Sequence, residues 1–82
     1  MNKEYVLFNL REAVEELQRT ITEIETEPDY GEPEFQVAME HAYHHLNHAW
    51  NARDASAEES FECSDANFAK WRAFPKDIDL SV

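Results

Sequence analysis

Six aliphatic residues set most of what this chain can fold into. Leu7, Leu10, Val14, Leu17, Ile21 and Ile24 follow one another at spacings of 3, 4, 3, 4 and 3. Alternation of 3 and 4 keeps successive side chains on one narrow stripe of an α-helix, with Leu7, Val14 and Ile21 at the a position of a heptad and Leu10, Leu17 and Ile24 at d. The residues between them are mostly Glu, Arg, Gln and Thr, and Tyr5 and Phe8 widen the apolar face near its start. The spacing predicts a helix over residues 2–26. Glu15 and Arg19 stand in the favourable i,i+4 order along it.

The stretch "TEPDYGEPEF" interrupts the pattern. Pro28 cannot continue a helix, Gly31 permits a left-handed turn, and Pro33 suits the first position of a new helix. So short a connection folds the next helix back antiparallel. That second helix is expected over residues 33–54. Phe35, Met39, Ala42, Leu46 and Ala49 repeat at 4, 3, 4 and 3 along it, and the small Ala42 and Ala49 let another helix approach closely. Trp50 and Tyr43 lie on the shoulder of this second seam.

Beyond it, "SAEE" (Ser56 to Glu59) has the form of a capping box, and Ser64 or Asp65 offers a second helix start. One or two short helices are expected over residues 57–73, broken or bent near Cys63, with Phe61, Phe68, Trp71 and Phe74 packed against the hairpin. Pro75 stops the structure, leaving 75–82 as an extended tail. The chain therefore reads as one small all-α domain over 1–82: an antiparallel helical hairpin with one or two short C-terminal helices, completing a four-helix bundle as a dimer.

Size supports a partner. At 82 residues a core contributes only a few kcal/mol of net stability, roughly 3–5. Small domains usually add disulfides, a metal or a second chain. Cys63 is the only cysteine, so no intramolecular disulfide forms, and a homodimer is the favoured supplement.

Charge narrows the function classes. With 18 acidic residues against 7 basic ones, the formal charge is −11. Such a field repels nucleic acid and anionic lipid, whose binding needs Lys or Arg to displace counterions from phosphates. No segment has the length or apolarity of a signal peptide or membrane span. The expected setting is cytoplasmic.

The most conspicuous chemistry is "HAYHHLNHAW", where His41, His44, His45 and His48 stand within eight residues. At about 100° per residue they occupy an arc of roughly 100°, centred about 130° from the Phe35–Ala49 seam. His41/His45 and His44/His48 are i,i+4 pairs able to chelate zinc, copper or nickel. No second ligand group, CxxC or HExxH accompanies them, and the arc faces away from the expected hairpin interior. The favoured reading is a solvated or partner-facing helix surface, with metal binding through all four histidines as the alternative and a pH-responsive interface as a third reading.

Other chemistry is sparse. Glu62 and Asp65 flank Cys63 and disfavour its thiolate. Gly31 is the only glycine, so no glycine-rich loop exists to cradle a phosphate. No catalytic residue and no cofactor site is assigned. The chain is expected to be a non-catalytic protein–protein interaction or regulatory module, acting through the histidine and Trp50 face or the C-terminal aromatic segment.

Overall fold

The periodic segment forms a single long helix, and a tight turn brings a second one back along it. The computed structural model describes residues 1–81 as α1 (Lys3–Thr26), α2 (Glu32–Asn51), α3 (Ala57–Glu62) and α4 (Asp65–Arg72), with no strand among the described residues. Val82, the last residue of the expected tail, lies outside them. Helix α1 packs along α2 as the expected hairpin, and α4 lies against α2. No helix among the described residues is long and apolar enough to cross a membrane.

Each helix start has a local cause. Asn2 caps α1 by accepting the Tyr5 N–H at 3.1 Å, while its own amide donates to the Ala55 carbonyl at 3.0 Å. This ties the N-terminus to the chain beyond α2. The Ser56–Glu59 capping box forms as expected, with both of its bonds at 3.0 Å. Ser64 caps α4 through the Asn67 N–H. Gly31 differs from expectation: its backbone is extended, at φ −138°, and its N–H donates to Glu34 Oε2 at 3.0 Å. The left-handed residue is Cys63, at φ 40°, which ends α3 and turns the chain into α4. Helix α2 stops at Asn51, three residues before the expected end at Asp54.

The main correction concerns which stripe of α1 meets α2. The aliphatic seam stays in solvent, with Leu7, Leu10, Val14, Leu17, Ile21 and Ile24 between 40% and 58% exposed. The stripe that packs lies one residue earlier: Val6, Asn9, Ala13, Glu16, Thr20 and Glu23 are all buried or half-buried. It has the same 3,4,3,4,3 spacing, rotated by about 100°. Across from it, α2 buries Ala38, Ala42 and Ala49, and Ala52 just past its end is buried too. The hairpin interior is thus made of small residues, which bring the two helices close but bury little apolar area per residue. Charge pairing also differs from expectation, since Arg19 bonds Glu16 at 2.9 Å rather than Glu15.

The aromatic cover is only partly a cover. Trp71 is buried, whereas Phe68 is 41%, Phe74 65% and Phe61 91% exposed.

Candidate functional site

The hairpin has two broad sides, and each holds a candidate surface. On one side α4 lies over the C-terminal half of α2, where the histidines are. His48 is 3% exposed. Its Nδ1–H donates to the His44 carbonyl at 2.9 Å, and its ring packs on Phe68 and Trp71, with centroids 5.6 and 6.3 Å away. His44 lies 4.2 Å from His48 and 5.3 Å from Phe68, centroid to centroid. His45 turns toward α1 and donates from Nδ1 to Asn9 Oδ1 at 3.3 Å. Asn9 is 2% exposed and donates in turn to the Tyr5 carbonyl. His41 is the exposed member, with Nδ1 3.9 Å from Glu16 Oε1.

The expectation of a solvated or partner-facing histidine face therefore holds in part: His41 is exposed, His44 and His45 are half-buried, and His48 is buried. The wheel placed the cluster away from the Phe35–Ala49 seam, as it is, but α1 and α4 occupy part of the space around it. The four rings also serve separate ends: a contact with Glu16, an aromatic stack, an interhelix hydrogen bond and a buried wedge. Among the described residues, no group of three or more His, Cys, Asp or Glu side chains is placed to hold a metal ion.

Burial and the neighbouring imidazoles push His44 down to about 4. His48 is also lowered, chiefly by burial and against the effect of its hydrogen bond to the His44 carbonyl. Both are neutral at pH 7, in keeping with aromatic packing. An open groove of about 450 Å³ runs beside them, lined by Glu12, Glu16 and Arg19 of α1, His41, His44 and His45 of α2, and Phe68 of α4. Its walls mix both signs of charge.

The rest of "HHLNHAWNAR" anchors α4 and the tail. Asn47 Nδ2 donates to the Arg72 carbonyl at 2.9 Å, and Asn51 Nδ2 to the Trp71 and Ala73 carbonyls at 2.9 and 2.7 Å. These carbonyls end α4 and have no partner within their own helix. Trp50 Nε1 donates to Asp77 at 3.0 Å, and the Arg53 guanidinium stacks 3.9 Å over the Trp50 ring. Sequence reasoning missed both asparagines, because a side-chain amide that caps a distant helix leaves no local signal.

The other side of the hairpin carries the second candidate surface. The α1 seam lies beside Phe35 and Leu46 of α2, both 42% exposed, with Met39 half-buried between them. Val6, Leu10, Leu46, Ala49 and Trp50, with Met1 and Arg53 at one end, line a shallow, mostly apolar groove of about 250 Å³ where the helices meet. Polar contacts between the helices gather at its end, where Asn2 N–H donates to the Arg53 carbonyl at 2.6 Å. At roughly 80 Å² for each half-exposed large side chain, the face offers on the order of 700 Å² of apolar surface, more than the ~300–600 Å² of the largest patch on a typical monomer.

Compared with known proteins, the chain matches no family model. No curated protein and no solved structure is significantly similar to it.

Proposed function

We propose that this acidic chain is a non-catalytic protein–protein interaction or regulatory module of the cytoplasm, and that its working surface is the open apolar face of the α1–α2 hairpin. The observation that carries this reading is the exposure of all six seam residues on a helix whose packed stripe is polar and small. Contiguous apolar patches of this size mark association surfaces. The histidine and Trp50 face, the other surface considered, is largely occupied by α4 and the tail, so the working surface moves to the opposite side. A homodimeric four-helix bundle is the simplest assembly that closes it.

Size-exclusion of native extracts tests this reading. The wild-type chain is expected to elute well above its own 9.6 kDa mass, and Leu10→Lys/Leu17→Lys to elute as the free chain with its helix content intact. A wild-type chain that elutes free in extracts, or a double variant that keeps its assembly, contradicts it.

A further inference from the structure

The exposed α1 seam reads the same in either chain direction, and the exposed ends of the α2 seam share its midpoint. On α1 the spacings 3, 4, 3, 4 and 3 are symmetric about a point midway between Val14 and Leu17. On α2 the exposed large side chains of the seam are Phe35 and Leu46, with Met39 half-buried between them, and Phe35 and Leu46 are equidistant from a point midway between Met39 and Ala42. Symmetry of one alternating stripe is common. What is not guaranteed is that the two midpoints lie at the same height in the hairpin, and here they do. Glu16 lies next to the first midpoint and His41 next to the second, and these two side chains face each other at 3.9 Å. The Asn9–His45 bond and the shared groove of Leu10 and Leu46 fix the same register further along.

We propose that the occupant of the apolar face is a second copy of this chain, related by a two-fold axis that runs across the open face, perpendicular to the helices, at the level of Glu16 and His41, so that α1 packs antiparallel on α1 of the partner and α2 antiparallel on its own counterpart. This rests on the reading of that face as the working surface. One axis superposes both seams: Leu7 meets Ile24, Leu10 meets Ile21, Val14 meets Leu17 and Phe35 meets Leu46, each across to the other copy.

Area favours the same occupant. The face offers on the order of 700 Å² per copy, close to the ~800 Å² that each partner contributes to a stable interface. Two chains of charge −11 repel wherever their acidic surfaces meet. Between Leu7 and Ile24, however, the open edge of the α1 seam carries Arg11 and Gln18 and no carboxylate. The seam is where a copy approaches with least repulsion.

Cross-linking tests the axis. In a Cys63→Ser background, Leu7→Cys/Ile24→Cys is expected to form a covalent dimer under mild oxidation, while Leu7→Cys alone remains uncoupled, because position 7 of each copy faces position 24 of the other. Light scattering on the purified wild-type chain gives the mass in parallel. A dimeric mass with ready coupling of Leu7→Cys alone, or none in the double variant, overturns the axis. A monomeric mass overturns the second copy as occupant. If the same chain still elutes as a larger assembly in extracts, and Leu10→Lys/Leu17→Lys abolishes it, the working surface survives and only its partner is wrong.

Discussion

The two sides of the hairpin are built on opposite principles. The side under α4 is held by directional contacts: Asn47 and Asn51 take the carbonyls that end α4, His45 bonds Asn9, and one large side chain, Trp71, is buried. The open side has hardly a polar atom and nearly all of the large aliphatic side chains of α1. Specificity within the chain is concentrated on one side, and unspent apolar surface on the other. The comparison teaches that the hairpin interior, made of alanines with Asn9 and Thr20, sets a register more than it supplies burial energy.

The largest effect that would break this comparison lies on the open side. Leu10→Lys/Leu17→Lys leaves the hydrogen bonds within the chain in place but removes two leucines per copy from the assembly. At about 1.5–3 kcal/mol for each leucine, the loss is expected to reach about 3–6 kcal/mol per chain, read as a fall in the urea midpoint with loss of dimer mass.

On the covered side, Trp71→Ala is expected to cost about 3–5 kcal/mol. Because α4 has one buried apolar anchor, the variant should lose the near-ultraviolet signal of the docked segment while α1 and α2 keep their helical circular dichroism. Loss of the entire helical signal at the temperature where α4 releases would show that the two sides fold as one.

Acid sharpens the contrast. Folding lowers His44 to about 4 from an ordinary 6.5 and lowers His48 as well, so between these values the unfolded chain binds more protons. Stability is therefore complete above about pH 6.5 and declines as pH falls toward 4. Discounted for the partial exposure of His44, the loss from pH 7 to pH 5 is expected to be about 1 kcal/mol, or roughly 4–8 °C in Tm. His44→Leu/His48→Leu should flatten that slope; an unchanged slope would remove the histidines from the account.

The smallest effect is expected between the short helices. Cys63 holds a left-handed backbone at φ 40° without being glycine. Cys63→Gly should relieve about 1 kcal/mol of backbone strain, offset in part by lost side-chain contact and added unfolded-state entropy. A net rise in Tm of a few degrees is predicted by thermal melting.

These contrasts also show what a sequence can convey. Helix α1, the fold-back at Pro28–Pro33 and the Ser56–Glu59 box were legible because each is decided by residues within a turn of one another. The stripe that packs against α2 was not. Leu7–Ile24 and Val6–Glu23 share one period, and hydrophobicity favours the stripe that stays in solvent. What decides is the fit of Ala13 and Thr20 against Ala38, Ala42 and Ala49, together with the Asn9–His45 bond, all of them long-range contacts. The burial of His48 was not legible, because the seat of α4 depends on Asn47 and Asn51 reaching carbonyls 20 or more residues away.

The central claim is that the open face is closed by another copy. It is tested most directly by the concentration dependence of the thermal midpoint of the purified wild-type chain from about 1 µM to about 1 mM, since a partner that binds only the native state raises stability by mass action. The account predicts a Tm that climbs steadily with protein concentration, and a flat response in Leu10→Lys/Leu17→Lys. A wild-type Tm that stays constant across that range, with the mass of a single chain throughout, would contradict it.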